Sequence, residues 1–483
     1  PVTINLAESE GVERLGFVDQ SVNSRVSTSI AGLDASTPGS VIQLGKAGAA
    51  GGRVLIQRHV IGHDGVRFLS GSTGAGFDLG PLGILETRLG NIELRPLGDS
   101  VLQGSLIAAG PSADIIIDAS RSIEIRGDLS ANRNIVISAG KLVEAGVASV
   151  RTHSSSRLTS TGAAGQITIT GLNDVVINNV IGLDNPGLTS VAVTSSFGTL
   201  TVAREAGRIE TGGELLLRGQ NVQVEGMLRS SRATAQEDDR ELRILAIQDL
   251  HVLADVRVSG SASLSAGRDI RVDNATITAP AAGQTLTLTA GRNLSLGNVD
   301  PVAGDLAPHA VILAADRSLQ LRATSDLRLA ADASASVSAS AGELRLVAGS
   351  MHLVGELRAG ARVDAATGNT TWSGPGALLD LDASAGLTIG GPGLDPNAAL
   401  TDVGATLAAS GELRIAAGAD TSDVALTLTP RSSLTSNARF DPAWSTGGPS
   451  RIQVQASGLV NLEGTVRATD PGADISIATD SLV

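Results

Sequence analysis

The chain has 483 residues with no cysteine, no tyrosine, two tryptophans, five phenylalanines and 58 glycines. A disulfide scaffold and thiolate chemistry are therefore excluded, and the interior falls to Leu, Ile, Val and Ala. Basic residues number 36 and acidic residues 49, a net charge of −13 with no basic block, which argues against nucleic acid and anionic membranes as partners. No apolar run reaches membrane-spanning length, so no membrane insertion is expected. The sequence opens at Pro1 without a signal peptide and reads as a processed chain or a fragment.

Residues 1–110 keep the weakest rhythm. Val2–Leu6, Val41–Leu44, Val54–Ile56 and Ile92–Leu94 alternate as strands do, but glycine-rich spacers such as Ser70–Gly76 separate them. Irregular or decorated coils are predicted here. From 111 to 483 the pattern becomes regular. Ile115–Ile117, Ile123–Ile125 and Ile135–Ile137 set it, with Ile115 and Ile135 separated by 20 residues. It continues through Ile167–Ile169, Val175–Ile177, Val191–Val193, Leu200–Val202, Leu215–Leu217 and Val222–Val224. The charge-dense segment Arg232–Glu241 then predicts a solvated loop excursion near 231–241.

The clearest repeat follows. Ser263-Leu-Ser-Ala-Gly-Arg-Asp-Ile-Arg-Val272 returns 24 residues later as Thr287-Leu-Thr-Ala-Gly-Arg-Asn-Leu-Ser-Leu296. In each copy the apolar residues stand two apart, which puts them on one face of a strand, and Ala-Gly-Arg interrupts the alternation where the chain must bend. The rhythm runs on through Leu319–Leu321, Leu327–Leu329, Leu344–Leu346 and Met351–Leu353. A second excursion is predicted near 365–396, where Gly and Pro cluster around Trp372. Strands resume at Leu413–Ile415, Leu426–Leu428, Ile452–Val454, Leu459–Leu462 and Ile475–Ile477. No segment keeps a helical period. Self-similarity at this spacing marks a stack of like units, so the expected fold is all-β: a solenoid whose strands pair in parallel with their equivalents one coil away.

The unit Leu-x-Ala-Gly-Arg-Asp/Asn-Leu/Ile-x-Leu at Leu264–Val272 and Leu288–Leu296 resembles the repeats of filamentous-haemagglutinin-like exoproteins, the adhesins of two-partner secretion. Gly342–Gly349 and Gly411–Gly418 are similar to it in looser form. The resemblance implies a right-handed parallel β-helix with loop excursions, a location that is extracellular or on the bacterial outer cell surface, and use as an adhesin. Its partner would be a receptor or glycan on a host or neighbouring cell. The family's amino-terminal secretion domain is not recognisable in residues 1–110.

Candidate chemistry is sparse. His59 and His63, followed by Asp64, would share a strand face, but four positions of extended chain separate them by about 13 Å, so surface roles are expected. His153, His251, His309 and His352 stand alone in sequence. Gly45–Gly52 follows a strand, as a phosphate loop does, yet Arg53–Gln57 reads as another strand where that loop needs a helix. Pectin-active β-helix hydrolases carry four motifs in order. Only Asp238-Asp239 and Gly62-His63-Asp64 resemble two of them, in reverse order. Asp470 and Asp474 could hold calcium only with further converging oxygens, and are expected to serve turn geometry instead.

These readings assign no catalytic, cofactor-binding or metal-ligating residue and predict a non-enzymatic stalk or fibre segment. A self-assembling filament subunit, joined head to tail through an uncapped last coil around Ile475–Ile477, is one alternative; a polysaccharide-active β-helix enzyme is the other.

Overall fold

The computed structural model describes residues 4–6, 17–18, 28–30, 33–35, 38, 41–44, 54–69, 76–140, 148–182, 188–204, 206–230, 240–297, 310–363, 370–392, 402–419, 424–437, 450–470 and 472–482. Every helix or strand among them is a strand, and the long ladders of parallel strands make this a parallel β-helix. The chain divides into two units, Pro1–Ala233 and Thr234–Val483.

In the first unit each coil lays down three strands, as in Ile115–Ala119, Ile123–Ile125 and Leu129–Ala131. Each pairs in parallel with its equivalent in the next coil: Ile115 with Ile135, Ile123 with Val150 and Leu129 with Leu158. The expected 20-residue step is thus one winding. Alternation decides which side chains face in: Ile115, Ile117 and Ala119 are buried while Ile116 and Asp118 are partly exposed. Burying one such aliphatic side chain contributes roughly 1.5–3 kcal/mol, and every coil repeats the gain.

Residues 54–110, expected as irregular or decorated coils, carry the same ladders: Val66 pairs with Ile92 and Ile92 with Ile115. Their glycines looked like spacers but are corners where successive backbones touch. A Cβ on Gly104 would stand 2.0 Å from the Gly83 carbonyl oxygen, and one on Gly127 would stand 1.9 Å from that of Gly104. Only glycine allows such an approach. Ile4–Leu6 pairs antiparallel with Val41–Leu44, and Phe17–Val18 with Thr28–Ile30; Val41–Leu44 and Thr28–Ile30 themselves pair in parallel with Gly65–Leu69 and Val54–Ile56.

In the second unit the 24-residue repeat becomes the register of the ladders. Leu264 pairs with Leu288, Ala266 with Ala290, Ile270 with Leu294 and Val272 with Leu296. The Arg-Asp/Asn pair of the motif now has a physical account. Asp249 Oδ1 accepts the amide of Asp269 at 3.3 Å, Asp269 Oδ1 that of Asn293 at 3.2 Å, and Asn293 Oδ1 that of Asp326 at 3.4 Å. Each carboxylate or amide therefore caps the same backbone N–H one coil later. The arginines reach back: Arg268 Nε donates to Asp249 at 3.0 Å and Arg292 Nε to Asp269 at 2.8 Å. Arg292 accordingly holds the Asp269 carboxyl below its ordinary value, with burial opposing. Because solvent screens such exposed ion pairs, their main effect is to fix the side chains that do the capping.

Of the excursion near 231–241, residues 231–239 lie outside the described residues, and Arg240–Ala246 is already a strand. The segment 365–396 is not one excursion. Ala361–Val363 and Thr370–Trp372 form an antiparallel hairpin. Leu378–Ala383 and Leu387–Ile389 return to the ladders, with Leu379 opposite Leu344 and Leu387 opposite Met351. A second antiparallel pair, Gly391–Pro392 with Asp402–Val403, follows. The alternation Leu379, Leu381, Ala383 explains the return, since all three are buried.

Candidate functional site

With every second residue of each strand facing in, anything the molecule recognises must be built on the outer rows, where side chains far apart in sequence become neighbours. In the first unit, the second strands of four successive coils place Leu55, Asp78, Val101 and Glu124 side by side. The positions just after these strands, Gln57, Gly80, Gln103 and Arg126, make a second row. Its backbone continues the ladder, with Gly80 donating to the Ile56 carbonyl at 2.7 Å, Gln103 to that of Leu79 at 2.8 Å and Arg126 to that of Leu102 at 2.7 Å. The turn Gly80–Gly83, closed by a 2.8 Å bond between its ends, raises Pro81 and Leu82 beside these rows. Together they enclose a groove of about 680 Å³.

The groove's carboxylates are both engaged. Asp78 Oδ1 accepts the Val101 amide at 3.1 Å, and Glu124 is paired with Arg126 at 2.8 Å. They stand two ladder steps apart, roughly 9.6 Å between their backbones. Sequence inspection missed the groove because Asp78, Val101 and Glu124 are each 23 residues apart. The signal was available in principle, since residues one winding apart on an outer row are neighbours.

A second groove, of about 560 Å³, lies in the second unit on the row Arg328, His352, Thr388 and Thr427. His352 is covered by the start of the second antiparallel pair. A Cβ on Gly391 would be 3.4 Å from Nε2, which is buried and makes no hydrogen bond among the described residues. Burial first, then the nearby Arg328 charge, hold its pKa below the ordinary 6.5, against a hydrogen bond with the Gly390 backbone. An unfolded chain takes up this proton near 6.5, the folded one only at lower pH. The unfolded state therefore binds more protons between the two values, and stability falls as pH drops through 6.5. We expect the urea midpoint to fall more between pH 7.5 and 5 in the native chain than in His352→Gln; equal pH slopes would contradict the assignment.

Along the same outer row, His251 Nε2 and Arg271 Nε converge on Asp273 Oδ2 at 3.0 and 2.5 Å. Burial raises the Asp273 carboxyl, but His251 and Arg271 together outweigh it and leave it below the ordinary value. The trio closes on itself as a structural cluster.

The residues singled out in the sequence are not brought together. His59 Nε2 meets Glu86 of the next coil at 2.9 Å, while His63 Nδ1 meets its neighbour Asp64 at 2.7 Å. The strand His59–Gly62 stays extended between them. Gly45–Gly52 and Asp238-Asp239 lie outside the described residues. Asp470 is buried at a turn closed by the Ala473 amide on its carbonyl at 2.9 Å, whereas Asp474 is exposed and lies 3.9 Å from Arg451. No group of three metal-ligating side chains occurs among the described residues.

No protein-family model matches the chain, and no curated protein or solved structure matches it.

Proposed function

We propose that the chain is a non-enzymatic display segment: part of a stalk or fibre of a secreted or surface-exposed bacterial protein of the filamentous-haemagglutinin-like type, with adhesion as its use. The observation that carries this reading is the in-register stacking of Leu264 on Leu288 and Ile270 on Leu294, joined by the Asp249, Asp269 and Asn293 caps. Each winding contacts its neighbours in the same way, so stability grows coil by coil and reach grows by about 4.8 Å per coil. A hydrolytic use of the first groove fits less well, since glycoside hydrolysis needs one carboxyl group to deliver a proton and both Asp78 and Glu124 are already engaged.

Excision of residues 262–285, one 24-residue winding, joins Ser261 to Leu286 with the ladder preserved. The shortened chain is expected to keep a strand-type circular dichroism spectrum and to unfold cooperatively within the native denaturant range. Collapse to a disordered chain would refute modular stacking, and release of sugars from a polysaccharide panel by the native protein would refute the non-enzymatic part.

A further inference from the structure

We infer that the groove over the second strands of the first unit is a binding site for an uncharged oligosaccharide, lying along the ladder with Gly80 at its centre. Gly80 interrupts a row otherwise formed by Gln57, Gln103 and Arg126, at a position crowded less than the neighbouring corner glycine Gly83. Gly80 is not among the residues with positive φ. A Cβ would come no closer than 3.3 Å to the Ile56 carbonyl oxygen and 3.7 Å to Gln57, whereas one on Gly83 would be 2.6 Å from that same oxygen. The missing side chain leaves a hollow between Gln57 and Gln103. Leu82, 67 % exposed on the adjoining turn, forms its wall.

The lining selects the ligand class. Arg58 and Arg126 balance Asp78 and Glu124, so the groove offers no net attraction to a polyanion or a polycation. What remains are planar two-pronged groups, the amide of Gln103 and the guanidinium of Arg58, set beside the apolar Leu55, Val101 and Leu82. A pyranose ring has the matching chemistry: adjacent hydroxyls around its rim and C–H groups on its face. The ladder step of about 4.8 Å is close to the advance of one sugar along an extended chain. The volume falls within the roughly 300–1,000 Å³ typical of small-ligand sites. Because aliphatic rather than aromatic side chains provide the apolar surface, modest affinity is expected. The inference does not rest on the display reading, since the groove would bind such a chain whatever larger protein contains it.

Calorimetric titration of the full chain with cellohexaose, maltohexaose, mannohexaose, xylohexaose and a galacturonic acid hexamer tests it. At least one neutral hexamer is expected to bind with Kd of about 1 mM or tighter, and Gly80→Gln and Gln103→Ala are each expected to weaken that binding about tenfold or more. The urea midpoint of Gln103→Ala should stay near the native value. Gln103→Ala, at a half-exposed position, keeps the test decisive should Gly80→Gln disturb the coil. The inference is overturned if no neutral hexamer binds at about 10 mM, if the variants bind as well as the native chain, or if the charged hexamer binds best. None of these results touches coil stacking, which the excision of 262–285 tests separately.

Discussion

Leu288→Ala is expected to lower stability by about 2–5 kcal/mol. Leu288 is fully buried, stacked between Leu264 of the preceding coil and Leu321 of the next. Truncation therefore empties a slot bounded above and below by side chains whose backbones are held by ladder hydrogen bonds and cannot close in. Urea unfolding followed by circular dichroism reads the loss, and the neighbouring outward position gives the comparison. Thr287→Ala, on the partly exposed face of the same strand, should change stability by no more than about 0.5 kcal/mol. Equal effects at the two positions would mean that the strand's faces are assigned the wrong way round.

Gly291→Ala should be as damaging although it adds only one methyl group. The new Cβ would lie 2.1 Å from the carbonyl oxygen of Gly267, and Gly267 itself stands in the same relation to Ile247. The obstacle is backbone in a corner stacked on another corner, so relief requires two coils to separate. A cost of about 3 kcal/mol or more is expected, at the upper end of what overpacking produces. Gly283→Ala separates crowding from conformational strain. It has φ +81° but nothing within 4 Å of the added carbon, so its cost should be limited to the roughly 1–2 kcal/mol of a left-handed backbone. If Gly283→Ala proves the more harmful of the two, close approach is not what places glycine at the corners.

Much of the fold was legible because a solenoid writes its register into the sequence. The offset between Leu264 and Leu288 is the ladder pairing itself, and the Ala-Gly-Arg interruption is the corner. Three things were not legible, for different reasons. Glycines at 83, 104 and 127 resemble loop composition, and only the contact of each with the preceding carbonyl reveals a regular column. The groove of the first unit depends on Leu55, Asp78, Val101 and Glu124 becoming adjacent, and no short motif links them. His352 was indistinguishable from the other isolated histidines, because what sets it apart is the turn at Gly390 and Gly391 folded over its ring.

The hairpin of Ala361–Val363 with Thr370–Trp372 leaves the column and re-enters it while Leu344 still faces Leu379. That arrangement is a ready grafting port, since a foreign epitope inserted between the hairpin strands would lengthen the detour without altering the register on either side of it.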